Sequence, residues 1–300
     1  MTLRLATRRS EQARAQSHYV ADRLRALLGE PVELVLVDTA GDKDRQRPIA
    51  EIGGRGIFVK EVQAAVVDGR ADVAVHSAKD LPSSWTADGL VLACVPERND
   101  PRDALVGVAY DALPFGATIA TGSVRRKAQL AHARPDLRFV GLRGNIPTRV
   151  ARADADDVDA AVVAYTGAAW VGLANRIASV FEIDQMVPQV GQGALAIECR
   201  AGDEATLAAV RELEHGDSRR AVDTERAFLA RLGGGCDLPV GAHAQIAGDG
   251  ITVVGLIASL DGTTVLKRTM RGSDPSIGVA LAEALLDAGG QGLIDVSPAR

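Results

Sequence analysis

The chain has 300 residues, enough for two or three domains at roughly 100–200 residues each. Hydrophobic residues make up 47% and charged residues 24%, which excludes wholesale disorder, and with only 3% aromatic the core has to be aliphatic. A net charge of −5 excludes a global basic field for nucleic acid.

The opening MTLRLATRRS lacks the apolar stretch of a signal peptide, and no run reaches the ~20 apolar residues of a membrane span, so a cytoplasmic location is expected. Residues 3–6 read as a short strand. Ser10 is placed to cap a helix in which Ala13, Val20, Leu24, Leu27 and Leu28 recur at helical spacing until Gly29 and Pro31 end it. Residues 32–37 read as a second strand. The polar stretch 38–57, rich in glycine and charge, is long for a loop, which points to function or mobility. A short helix over 59–68 and strands over 73–76 and 90–95 follow. After PERNDP at 96–101 a second series begins: strands at 104–108, 118–121, 139–142 and 160–164, with a helix from Ser123 to Arg134 and a shorter one after Asn145. GQGALAIEC at 191–199 reads as a strand after a glycine turn. A long amphipathic helix over 217–232 ends in Gly233, Gly234 and Gly235. Three strands (241–247, 251–258, 264–270) and a helix over 277–287 complete the chain. Alternating strands and helices predict parallel α/β sheets in the first two parts and a small α+β domain at the end.

Chemistry is expected at the carboxyl ends of the parallel strands. Lys79 and Asp80 follow one such end and handle both charge signs, or form a solvated turn. Thr121, Gly122 and Ser123 run into a helix whose first turn holds Arg125 and Arg126. The helix dipole disfavours cations there, so they require an anion or an acidic neighbour unless they simply face solvent. Arg143, Gly144 and Arg149 repeat the pattern, and Arg8 adds another cationic strand end. The chain has 29 Arg and five Lys. A GC-rich genome accounts for surface positions, whereas Arg in loops binds carboxylates bidentately. The three cysteines, 94, 199 and 236, have no paired spacing, against a disulfide framework or a zinc site. Cys236, on a glycine-rich loop, is open to reading as nucleophile, redox sensor, covalent anchor or incidental thiol.

Eight segments in register resemble the porphobilinogen deaminase (hydroxymethylbilane synthase) family: RLATRRS at 4–10, GGRGIFVKE at 53–61, ADVAVHSAKDLP at 71–82, NDPRDALV at 99–106, TGSVRRKAQL at 121–130, LRGNIPTR at 142–149, GQGALAIECR at 191–200 and GGCDLPVGA at 234–242. The resemblance implies a transferase that joins four porphobilinogen molecules head to tail into hydroxymethylbilane and releases ammonia at each addition. It implies a covalent dipyrromethane cofactor on Cys236 and Asp80 as the catalytic carboxylate. Lys79, Asp80, Ser123, Arg125, Arg126, Arg143, Gly144 and Arg149 would hold the cofactor. Arg8, Ser10, Gln16, Phe58 and Gln192 would bind substrate, and residues 42–57 would form a lid. The implied fold is α/β: two periplasmic-binding-protein-like α/β domains with the active site between them, plus a small C-terminal α+β domain with a three-stranded sheet. The expected boundaries are 1–96 plus 190–215, 97–189 and 216–300. No metal, nucleic acid or membrane is implied, and the expected state is a monomer.

The chain departs from the family pattern at Gly122, where many members have Ser, and at Ala169 and Trp170, where basic residues are common. Two further readings remain: a divergent member that holds the cofactor but elongates poorly, and a solute-binding protein for a polycarboxylate anion.

Overall fold

The computed structural model describes residues 2–39, 56–82, 87–234 and 238–295. Its strands are β1 (Leu3–Arg8), β2 (Val32–Val37), β3 (Val73–Ser77), β4 (Leu90–Cys94), β5 (Asp103–Gly107), β6 (Thr118–Ala120), β7 (Arg138–Val140), β8 (Ala160–Ala164), β9 (Ile177–Val180), β10 (Leu195–Arg200), β11 (Val240–Ala247), β12 (Gly250–Ala258) and β13 (Val265–Gly272). The helices are α1 (Glu11–Leu28), α2 (Lys60–Val67), α3 (Val124–Ala133), α4 (Ile146–Ala151), α5 (Tyr165–Trp170), α6 (Glu204–Arg211), α7 (Gly216–Leu232), α8 (Ile277–Leu285) and α9 (Gln291–Asp295). The chain divides into two compact units, Met1–Asn99 with Ala194–Arg219, and Asp100–Gly193 with Arg220–Arg300.

The first unit holds a five-stranded sheet in the order β2-β1-β3-β10-β4, and the second holds one in the order β7-β6-β8-β5-β9. The two orders are the same topology. In each, a parallel core carries one inverted strand: β10 runs antiparallel to β3 and β4, and β5 antiparallel to β8 and β9. The expected parallel α/β sheets are therefore mixed, each with one antiparallel strand. Each inverted strand is the first one laid down after the chain passes from one unit to the other, so no crossover helix sets its direction. The inversion matters for function, because it brings the first residue of β5, Asp103, opposite Ala164 at the carboxyl end of β8.

Helix α1 illustrates how local sequence builds the frame. The Ser10 hydroxyl accepts from the Ala13 N–H, Gly29 closes the helix at φ 66°, and Val20, Ala21 and Leu24 bury one face. A cap of this kind is worth about 1 kcal/mol. The second unit also carries an antiparallel sheet, β11-β12-β13. Its core is built from Phe228, Leu232, Val253, Ile257, Leu281 and Leu285. The helical stretch Ile277–Asp295 has the length and apolarity of a membrane span. Its inner residues Leu281, Ala282, Leu285 and Ile294 belong to that core, and Gly289 breaks its regularity at φ 104°. It is therefore a core element of this domain.

Candidate functional site

In the first unit the parallel pairing of β1 with β3 places two carboxyl ends side by side. Arg8 ends β1. Ser77 ends β3 and leads into a single tight turn, Ala78–Asp80, pinned by the Ala78 N–H donating to the Ala194 carbonyl at 2.9 Å. Asp80 is 26% exposed and lies 3.7 Å from the Arg8 Nη1. The central carbon of the Arg8 guanidinium stands over the Phe58 ring, 4.0 Å from its centroid, a cation–π contact. Gln16 is buried, and its Oε1 accepts from the Ser77 hydroxyl at 3.1 Å. Ser10 caps α1 through its hydroxyl oxygen. Lys79 sits half-buried on the same turn as Asp80. Arg8, Phe58, Lys79 and Asp80 thus gather at one strand edge, while Gln16 serves as a buried strut behind them.

In the second unit β6 and β7 run parallel, and the loops after them lie in direct contact. A Cβ on Gly122 would fall 2.4 Å from the Leu142 carbonyl oxygen. Ser123 caps α3, accepting from the Arg126 N–H at 3.4 Å. Asn145 caps α4, and Arg149 donates from Nε to the Gly144 carbonyl at 2.9 Å, where Gly144 adopts φ 99°. Arg143 and Arg149 are half-buried.

Arg125 and Arg126 are the main surprise. Both are buried, 3% and 5% exposed, and both turn onto the fully buried Asp103. Arg125 Nη1 lies 2.7 Å from one carboxylate oxygen, and Arg126 Nη2 lies 2.8 Å from the other. Burial alone would raise the Asp103 pKa, yet the two adjacent guanidinium charges hold it down at about 2. Burial also pushes Arg125 below its ordinary value, against the pull of Asp103. The solvent-facing alternative for these two arginines is therefore corrected: the acidic neighbour that the helix dipole demands is Asp103. Gln192 is fully buried and donates from Nε2 to Asp103 at 2.9 Å and to the Pro101 carbonyl at 2.7 Å. This arrangement makes it a brace for Asp103 rather than an open substrate contact.

Residues 40–55, which include most of the expected lid, and Cys236 lie outside the described residues. The two described cysteines are unsuited to covalent attachment. Cys94 and Cys199 are fully buried, and burial pushes both thiols up, Cys199 to about 11 with the Asp203 charge adding to the effect. His243, near Cys236 in sequence, is buried with Nδ1 3.4 Å from Glu225. Trp170, at the end of α5, is half-buried and Ala169 is exposed, so neither supplies a cation there.

Asp103 and Glu225 are the residues that sequence reasoning missed. The signal for Asp103 was present: an acidic residue opens an otherwise apolar strand, and two arginines elsewhere lack a counter-ion. Glu225 left no such trace, because its hydrogen bonds from the Gly191 and Ala244 backbone N–H groups and its contact with His243 are made across the fold.

Two α/β units with cationic residues at strand ends, one of them with a second small sheet attached, define a multi-sheet α/β protein. Residues 3–208 match the family model for the porphobilinogen deaminase dipyromethane cofactor binding domain, and residues 220–287 match the porphobilinogen deaminase C-terminal domain. The chain belongs to the porphobilinogen deaminase family. It is 45% identical to a porphobilinogen deaminase of Syntrophotalea carbinolica, with 99% of this chain and 97% of that protein covered. It is 42% identical to one of Geobacter sulfurreducens (97% and 93% covered) and 45% identical to one of Roseiflexus castenholzii (98% and 98%). Among solved structures, the methionine binding protein MetQ overlaps 72% of this chain and 91% of its own, at 14% identity and a TM-score of 0.46.

Proposed function

We propose that this chain joins four porphobilinogen molecules head to tail into hydroxymethylbilane, releasing ammonia at each step, on a dipyrromethane held by Cys236. The observation that carries the reading is the buried cluster in which two guanidiniums share one carboxylate at the start of α3, leaving a net positive charge where a helix N-terminus also favours anions. Dipyrromethane bears an acetate and a propionate on each ring, so its charge fits this donor set. Arg125 and Arg126 supply the net charge, Ser123 has a hydroxyl hydrogen to donate while its oxygen caps the helix, and Arg143 and Arg149 flank Gly144 in the adjoining loop. With Cys94 and Cys199 sealed in the core, Cys236 is the thiol left for the thioether. When bound, the dipyrromethane supplies the pyrrole carbon from which the product chain grows.

Asp80 is the group we assign to the chemistry. Its partly exposed carboxylate accepts a hydrogen bond from the pyrrole N–H of porphobilinogen and opposes the positive charge that develops on that ring as ammonia leaves. Arg8, held over the Phe58 ring, and Lys79 receive the substrate's acetate and propionate. Ser10, Gln16 and Gln192 complete the proposed set, the last two by holding the strand ends in place. The proposed domains are 1–96 plus 190–215, 97–189 and 216–300, and the proposed working state is a cytoplasmic monomer.

Denaturing mass spectrometry before and after incubation with porphobilinogen tests the reading. The expected result is a persistent two-ring adduct that is lost in Cys236→Ser. Asp80→Ala should fold normally and turn over more slowly by a factor on the order of 10²–10³ or more. Bare polypeptide after incubation would overturn the assignment, and reversible ligand binding without added mass would favour a solute-binding protein.

A further inference from the structure

Asp103 is fully buried, yet as the first residue of the inverted strand β5 it stands opposite Ala164, at the carboxyl end of β8. One of its oxygens accepts from Arg126 Nε at 2.9 Å and from Gln192 Nε2 at 2.9 Å, and lies 2.8 Å from Arg126 Nη2. The other lies 2.7 Å from Arg125 Nη1. The outer ends of the arginines are fixed as well: Arg126 Nη1 donates to the Val162 carbonyl at 3.1 Å, and Arg125 Nη1 to the Val187 carbonyl at 2.6 Å. A Cβ on Gly241, at the start of β11, would lie 3.0 Å from the Arg125 side chain, so the small sheet closes directly over this arginine.

Burying three charges together is expensive, and apolar residues of similar volume frequently serve stability as well or better. The cluster nonetheless fixes the direction of two guanidinium planes. Resting on the assignment of Arg126 to the cofactor, we propose that Asp103 is a positioning residue for the cofactor site: it holds the Arg126 guanidinium, and through Gln192 the turn at 191–193, in the orientation that receives a dipyrromethane carboxylate.

Positioning and simple charge predict opposite signs. Asp103→Asn removes the one anion from the cluster, so charge alone would draw carboxylates in more strongly, whereas positioning predicts that the released guanidiniums receive them poorly. The readout is the rate of two-ring mass gain on incubating apo-protein with porphobilinogen, counted per folded molecule by circular dichroism. Asp103→Asn should gain the adduct about 10–100-fold more slowly than wild type. Because the variant leaves two buried cations facing each other, Asp103→Asn combined with Arg125→Gln is measured beside Arg125→Gln alone. The pair keeps the wild-type net charge, and it should fold yet acquire the adduct at least about tenfold more slowly than Arg125→Gln. Equal rates in that comparison, or an Asp103→Asn variant as fast as wild type, would overturn the proposal. Failure of both Asp103 variants to fold would also overturn it, by assigning the residue to stability alone. A wild-type protein that gains no adduct is a different failure, that of the proposed function itself.

Discussion

Gly122 lies outside the left-handed region of backbone space, so conformational freedom does not explain it. Space does: the Leu142 carbonyl oxygen occupies the place where a Cβ would go, 2.4 Å away. Backbone cannot yield as a flexible side chain does, so the two loops must separate to admit even a methyl group. Gly122→Ala should therefore cost about 1–3 kcal/mol, in the range of overpacking at a closely packed site. A thermal melt checks this, with a fall of about 2–4 °C expected for each kcal/mol in a protein of this size. The same variant should slow adduct formation, because the Ser123 and Arg143 loops move apart. An unchanged melting point would mean that the contact is slack. Sequence alone marks this position only as a departure from a common serine. Its cause is a carbonyl twenty residues away, brought near by the β6–β7 pairing.

Among the elements, α7 shows most clearly what pattern reading reaches and where it stops. Its amphipathic period predicts a helix over 217–232, and it spans Gly216–Leu232. Glu225, on its buried face, is fully enclosed; its two oxygens accept from the Gly191 N–H at 2.7 Å and the Ala244 N–H at 2.9 Å. One side chain thus ties the helix to β11 and to the turn that carries Gln192. Glu225→Gln keeps a single acceptor oxygen and sets an NH2 group against a backbone donor. We expect a loss of about 2–4 kcal/mol, read from the urea midpoint, with Glu225→Ala no better. A change below about 0.5 kcal/mol would show that water replaces the carboxylate. Elements with a strong helical period or a clear apolar run, such as α1, β2 and β8, are legible within a residue or two of their ends. The short edge strand β9 and the helix α6 are not, since four residues of IASV carry no usable alternation and α6 lies in what reads as a returning segment. The site is legible in its cations and in Asp80. Its buried carboxylates are not, because pairing across the sheet leaves no local pattern.

Across the whole molecule, carboxylates in both units are held in their charged form by arginine. Burial pushes Asp72 up, but Arg4 and Arg200 more than offset it; Arg102 does the same for Asp100, and Thr206 with Arg200 for Asp203. Hydrogen bonds from Arg134 and the Gly116 N–H hold Asp136 well below the usual carboxylate range. Asp103 is the most enclosed of them, at about 2 against an ordinary value of 3.8. Each of these groups is depressed in the folded state, so between its folded and unfolded pKa the unfolded chain binds more protons. Their contribution to stability is complete above about pH 4–5 and is lost as pH falls through the folded values. The expected unfolding free energy is flat near neutrality with respect to these groups and falls steeply between about pH 4 and pH 2. Asp103, fully enclosed, contributes to that fall with little screening, whereas the exposed pairs contribute far less because solvent screens them. Urea titrations at closely spaced pH values measure the limb directly. Asp103→Asn, itself less stable at neutral pH, should lose less on acidification than wild type, because the group that takes up the proton is gone. A wild-type protein equally stable at pH 2.5 and pH 7, or a variant with an unchanged acid limb, would show that the Asp103 cluster is opened or hydrated in solution.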